Sequence, residues 1–422
     1  MGYNRGCPEF RPRKPPPRMQ QATRLLVISF AILVVIGILV LWKRNDRNQA
    51  IAELEGRFGA QLSITPEEFY LGCSSPDLKD LEELADLVRR VGDPQILDLT
   101  GAPSLASLKG AERLPSLTSI VAIDCPALVS ADGVAGHPLL TQLHCTDSAG
   151  LTDTSAIQRL PNLKSLDLSG CVAVQELAIA DLPSLENLYL SRCRGLTSLD
   201  VSAFPNLRQF YVDGCAGLRS IAGLGALTSL TDLDVSNASG LSGLPGVEKL
   251  SELVVLDIRN LDLSDFSAIG SLPKLRVLRM GGQDAVETLE PFTSLATLRE
   301  LHLEACPNLR SLRGIPPGVS QYAGFTYCPK LVSLDGVESA GALEHLDVTG
   351  CEHLADVSAM ARLANLVQVS FVKCRKVTAV PFVERMPKLR IVMLGGSGVV
   401  PAAVEGLKAA NEEIILDFTV AE

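Results

Sequence analysis

The chain has 422 residues, of which 47% are hydrophobic but only 5% aromatic, with 20% charged and a formal net charge of −10. Dominant disorder is excluded by the apolar content, and collagen and disulfide-knot classes by aperiodic glycine and only 11 Cys. The charge is unevenly placed. Residues 1–47 carry Arg5, Arg11, Arg13, Lys14, Arg18, Arg24, Lys43, Arg44 and Arg47 against Glu9 and Asp46, a net of +7, which leaves −17 on the remaining 375. An acidic body of that size argues against nucleic acid as a partner.

The first predicted element explains the split. Residues 25–42, LLVISFAILVVIGILVLW, contain no charge. As a helix they rise about 27 Å, close to the roughly 30 Å hydrocarbon core of a bilayer. Lys43 and Arg44 end the run, and Trp42 stands where an interfacial aromatic anchor belongs. A cleaved signal peptide is the competing reading, but the apolar run is longer than such segments carry and no small-residue cleavage site follows. Six basic residues precede the run and three follow closely, so the positive-inside bias predicts a cytoplasmic N-terminus and an extracytoplasmic body. Residues 1–24 are then a basic, Pro-rich, disordered cytoplasmic tail.

Residues 43–95 read as a spacer helix followed by an N-terminal capping module. Ser75-Pro76 resembles a helix cap and first helical residue, and Leu78, Leu81, Leu84 and Leu87 share one helical face. At the other end, 401–422 predicts a second cap, a helix and a last strand.

Between the caps, over 96–400, one phrase recurs. It reads LKSLDLSGCVAV at 163–174, LENLYLSRCRGL at 185–196, LRQFYVDGCAGL at 207–218, LRELHLEACPNL at 298–309 and LEHLDVTGCEHL at 343–354. Its landmark position falls at Ala102, Cys125, Ser148, Cys171, Cys193, Cys215, Ala238, Leu261, Gln283, Cys306, Cys328, Cys351, Cys374 and Ser397, every step being 22 or 23 residues. The alternating L-x-L is a short strand with one buried face. One coil cannot bury its own leucines, whereas stacked coils share a continuous core and pair their strands in a parallel sheet. Recurring L-P-x-L segments close the coils, and the return side has room for 3₁₀ turns but not long helices.

These phrases resemble leucine-rich repeats over about residues 94–420, and the short period is similar to the bacterial internalin-like subclass. Anchor, spacer and repeats together resemble membrane-anchored bacterial leucine-rich-repeat proteins. The resemblance implies an α/β solenoid of about fourteen coils that binds partners on a concave parallel sheet. The chain departs from the pattern in one respect: Asn often fills the landmark in such families, and here Cys fills it eight times in fourteen. Disulfides between neighbouring coils are a conceivable alternative, since adjacent coils lie about 5 Å apart. Small buried filler is the simpler reading.

Catalytic signals fail on inspection. His345, Cys351 and His353 are separated by the repeat register, Ser271-Leu-Pro-Lys274 is one more L-P-x-L turn, and Gly223-Leu-Gly225 lacks the strand-to-helix setting of a phosphate loop. No cofactor or metal is expected. The concave columns carry the remaining signal. The central column reads Asp167, Tyr189, Tyr211, Asp234, Asp257, Arg279 and His302, and the next column adds Asp213, Ser236, Arg259 and Glu304. The expected contact surface is Tyr189, Tyr211, Asp213, Asp234, Asp257, Arg259, Arg279 and His302, since Tyr and Arg are common interface anchors. The expected function is non-enzymatic: a membrane-tethered solenoid binding a protein or an envelope polymer. A structural spacer without a specific ligand is the alternative, and an enzyme with an unrecognised site a further one.

Overall fold

The structure, a computed structural model, describes residues 17–177, 179, 182–380, 386–404 and 413–419, with the side chains of 17–34, 37 and 38 left out. Helix α1 (Pro17–Phe58) runs through 25–42 and past Lys43 without a break. It begins inside the segment expected to be a disordered tail. Among the described residues no helix is long and apolar enough to cross a membrane, and the side chains of much of 25–42 lie outside that set.

The last turns of α1 are part of the cap. Ala50, Leu54 and Phe58 are buried, facing helix α2 (Glu82–Val91), which buries Leu84, Ala85, Leu87, Val88 and Val91. Arg57 pairs with Glu83 at 2.6 Å, and the Arg90 Nε–H donates to Asp46 at 3.0 Å. Between the helices lies an antiparallel hairpin of β1 (Gln61–Ile64) and β2 (Phe69–Gly72). The Thr65 hydroxyl organises its turn by accepting from the Glu68 amide at 3.0 Å. Ser75-Pro76 does not begin a helix. Ser75 closes a turn, its hydroxyl accepting from the Asp77 amide, and α2 starts seven residues later, where the Asp80 carboxylate accepts from the Glu82 amide. Leu78 and Leu81 are buried ahead of α2, and the Leu81 amide donates to the Lys109 carbonyl of the first coil.

From β2 onward the sheet is parallel and follows chain order through sixteen strands, ending at Ile415–Asp417; the cap hairpin thus extends the solenoid sheet, β2 pairing in parallel with Ile96–Asp98 and β1 antiparallel with β2. Two short strands, Ser198–Asp200 and Ser220–Ala222, pair separately. The register repeats without slippage. Leu166, Leu188, Phe210, Leu233, Leu256, Leu278 and Leu301 are successive partners, and all are buried. The return side holds 3₁₀ turns such as Ala111–Arg113 and Val247–Lys249. At the C-terminal end a 3₁₀ turn (Pro401–Val404) and the last strand are seen, while the helix expected over 401–412 falls mostly on 405–412, outside the described residues.

Two features set each coil. The residue before every landmark has a left-handed backbone: Gly at 101, 170, 214, 282, 350 and 396, but Asp124, Asp147, Arg192, Asn237, Asn260, Ala305, Tyr327 and Lys373 elsewhere, with φ from 51° to 77°. That conformation turns the chain off the strand and aims the next side chain into the core. It also points an amide at the following coil, as in Asp147 N–H to Ser169 O at 2.7 Å and Lys373 N–H to Gly395 O at 2.8 Å. At eight of the fourteen landmarks the side chain then donates backward to the preceding coil, whereas Ala102, Ala238 and Leu261 have no donor and Cys306 and Cys328 reach carbonyls of their own coil. Cys171 Sγ–H reaches the Cys145 carbonyl at 3.0 Å, Cys215 the Leu190 carbonyl at 3.0 Å and Cys351 the Phe325 carbonyl at 2.9 Å. Ser148 and Gln283 make the same bond to Ala122 and Ile258, at 2.8 and 3.0 Å. A thiol at this position is therefore a donor as well as filler. All ten described cysteines are buried and free, so no described pair forms a disulfide. Burial pushes the Cys171 and Cys374 thiols up to about 12.

Two outcomes follow for stability. A raised thiol pKa means the folded chain keeps a proton that the unfolded chain releases above its ordinary value of 9.0. Stability is then complete below pH 9 and falls as pH climbs toward 12; urea melts across that window show it, with a shallower slope in Cys171→Ala/Cys374→Ala. Equal slopes would remove the thiols from the account. At Lys373, whose φ is 62°, Lys373→Val costs about 1–2 kcal/mol while Lys373→Gly is neutral or stabilising in the same melts. Equal effects of the two would mean the left-handed turn carries no strain.

Candidate interaction surface

The parallel register lines up the residues that follow the buried strand centres. Asp167, Tyr189, Tyr211, Asp234, Asp257, Arg279 and His302 are consecutive cross-strand partners, so they form one column at about 4.8 Å spacing. Tyr189 and Tyr211 sit ring to ring at 5.2 Å with a 54° tilt, and the Tyr189 hydroxyl donates to the Gln209 side chain. Both phenols are half-buried, and burial followed by nearby aspartates raises their pKa.

Beside the tyrosines the acids crowd together. Asp213 accepts from Ser191, Asp232 from the Thr231 hydroxyl at 2.6 Å, and Asp234 from the Ser236 amide at 2.9 Å. Among the described residues none of the three forms an ion pair. Burial raises the Asp234 pKa, with the Asp257 and Asp213 charges adding to it against the Ser236 bonds. Asp257 is different. It is only 4% exposed and lies under the Arg259 guanidinium, whose Nη2 is 2.7 Å away and whose Nε is 3.0 Å from the same carboxylate. Each charge is thereby cancelled locally.

Past that pair the column opens into a cavity of about 230 Å³, lined by Arg259, Arg279, His302, Glu304, Tyr322 and Thr326 with Gly324 in its floor. His302 stacks on Tyr322 at 4.5 Å and 23°, and its Nε2 is 3.2 Å from the Glu300 carboxylate. Burial holds the His302 imidazole below its ordinary pKa, the Arg279 and Arg259 charges acting the same way and Glu300 opposing them. Tyr322 lies across its own strand. A Cβ on Gly324 would stand 2.6 Å from the Tyr322 ring, so only glycine leaves room for it. The phenol then reaches Asp347 of the next coil at 3.4 Å, and burial with the Asp347 charge pushes it up to about 12. The cap repeats this device: Tyr70 lies over Gly72 and donates to Asp98 at 2.8 Å.

The eight residues expected to form the surface thus occupy one face, but not as one patch. Tyr189, Tyr211, Asp213 and Asp234 make an aromatic–acidic half; Arg259, Arg279 and His302 edge the cavity; Asp257 is buried between them. Tyr322, Gly324 and Glu300 were not singled out from the sequence. The signal was present: Y-x-G occurs at 70–72 and at 322–324, in each case where an ordinary strand phrase should stand. In the S-x-x-K string, Lys274 is engaged by Glu252 at 2.7 Å and the Ser271 hydroxyl donates to the Ala268 carbonyl. Among the described residues no group of three His, Cys, Asp or Glu side chains is placed to hold a metal.

No protein-family model matches the chain, and no curated protein matches it in sequence. Solved structures do. TLR13, solved in complex with single-stranded RNA, has a TM-score of 0.60 at 18% identity, over 80% of this chain and 56% of TLR13, so the chain spans little more than half of that protein. The internalin inlF of Listeria monocytogenes has a TM-score of 0.54 at 16% identity, over 79% of this chain and 89% of the internalin. A leucine-rich-repeat protein of Leptospira interrogans matches at 17% identity over 82% of this chain and 97% of its own, with a TM-score of 0.45. For TLR13 and the internalin the likeness, at these identities, is one of fold, and together with the unbroken register it makes the chain a leucine-rich-repeat solenoid.

Proposed function

We propose that the chain is a non-enzymatic, membrane-tethered interaction protein whose concave face binds a protein partner. The observation that carries this reading is the central column. Over seven coils it holds half-buried aromatic and charged side chains in fixed register, several of them without a countercharge. Exposed strand positions need only be polar; a close tyrosine pair beside crowded aspartates and an open cavity goes further than that. Proteins sharing the fold include an internalin and a protein solved with RNA. The acidic body and the aspartates of this face favour protein over nucleic acid here.

Tethering rests on the uncharged run 25–42 inside α1, with the basic tail on the cytoplasmic side and the repeats outside. Because Ala50, Leu54 and Phe58 seat the end of α1 in the cap, the solenoid would stand near the bilayer without a free linker: Trp42 to Ala50 is about 12 Å of helix. An envelope polymer is the alternative ligand, and a spacer without a ligand the alternative role.

One experiment separates these. A proximity-labelling enzyme fused after Glu422, expressed in the native membrane, reports both compartment and neighbours. A specific extracytoplasmic protein should be labelled, and Tyr189→Ala/Tyr211→Ala should reduce its labelling about tenfold, while the return-side change Glu248→Ala/Lys249→Ala leaves it unaltered. Equal loss from both faces, or labelling indistinguishable from a soluble control, supports the spacer; cytoplasmic neighbours overturn the topology.

A further inference from the structure

The cavity at Arg279 gives the partner a chemistry. Arg279 is half-buried in the central column, lines the cavity and makes no ion pair or side-chain hydrogen bond among the described residues. Its neighbour Arg259 is already neutralised by Asp257. Space exists because two glycines stand where side chains would project. Gly324 forms the floor under Tyr322, and at Gly281 a Cβ would lie 3.5 Å from the Arg259 chain and 3.1 Å from the Glu304 carbonyl. Arg279 is therefore a guanidinium with a vacant fork, set beside a flat His302–Tyr322 stack and held at the bottom of a concave sheet. A planar fork of five N–H donors is best satisfied by a carboxylate.

The surroundings decide what kind of molecule carries that carboxylate. Glu304 lines the same cavity, Glu300 holds His302, and Asp347 and the Asp213, Asp232 and Asp234 group flank it on both sides. A polyanion laid along the column would meet repulsion from Asp213, Asp232 and Asp234 on one side of Arg279 and from Glu300, Glu304 and Asp347 on the other. A polypeptide can place one acidic side chain at Arg279 and a basic one at the aspartates. From Asp234 to Arg279 is two strand spacings, about 9.5 Å, which a polyproline-II segment covers in three residues at about 3.1 Å each, bringing both side chains to the same side. The basic side chain would also lie against Tyr211, the cross-strand partner of Asp234.

We infer that the Arg279 cavity receives an Asp or Glu side chain from a polyproline-II segment of the partner protein, with a Lys or Arg three residues away seated on Asp213, Asp232 and Asp234. This rests on the concave-face reading and adds to it a sequence signature, basic-x-x-acidic in one chain direction or the other.

The full chain in detergent micelles, panned against a phage library of random twelve-residue peptides, tests it. Selected peptides should carry an acid three residues from a base several-fold above the starting library. Arg279→Gln should weaken a selected peptide about tenfold. Arg279→Glu should restore binding to that peptide when its acid is changed to Lys, which also shows that the variant is folded. Peptides without an acid, or indifferent to Arg279→Gln, overturn the inference and leave the concave-face reading standing if Tyr189→Ala/Tyr211→Ala still weakens them. Selection of no peptide sensitive to either change overturns both.

Discussion

The structure depends on one turn repeated at every landmark. A residue in the left-handed region swings the chain off its strand, and the next side chain turns toward the core, where at eight of the fourteen landmarks it donates to a carbonyl of the coil before. Without that turn the coil cannot close on a core this narrow, and without the donor a buried carbonyl would lose its partner at the eight landmarks that supply one. Glycine is the natural occupant of the turn, yet Asp, Asn, Arg, Ala, Tyr and Lys hold it in eight coils. Their strain, of order 1–2 kcal/mol each, is offset by the backbone ladder and by leucines buried in common with both neighbouring coils. Cysteine suits the landmark because it is small, apolar enough for the core and able to donate; at Cys171 and Cys374 burial raises the thiol pKa and keeps the proton in place.

Function enters where the repeat lapses. The strand ladder holds its columns in register, so a change of residue type becomes a change of surface chemistry at a known place. Glycine at 324 in place of a column side chain lets Tyr322 fold across its strand, and glycine at 281 keeps the wall open beside Arg259. The same Tyr-over-Gly device in the cap ends in a bond to Asp98 and there ties the hairpin to the first coil. One local solution thus serves as a staple at one end of the molecule and as a cavity floor in its middle.

Much of this was legible in the residues alone. The 22–23-residue step placed the strands, the inward leucines and the two concave columns, because a parallel stack has no freedom to slip a register once every coil buries the same positions. Three things were not legible. The cap hairpin at 61–72 has too few residues to show a period and owes its place to pairing with Ile96–Asp98. The pairing of Asp257 with Arg259, which removes one acid and one base from the surface, depends on rotamers rather than pattern. The left-handed turns were hidden because eight of them are not glycine. Tyr322 could have been found by asking why Y-x-G interrupts the phrase.

The central claim is that the concave column, and not the convex returns, meets the partner. Site-specific photo-cross-linking in the native membrane tests it most directly, with the reactive side chain at Gln209 on the concave sheet and at Ser251 on a return turn. The account predicts a discrete protein adduct from position 209 and none from 251. An adduct from 251 with none from 209 would contradict it.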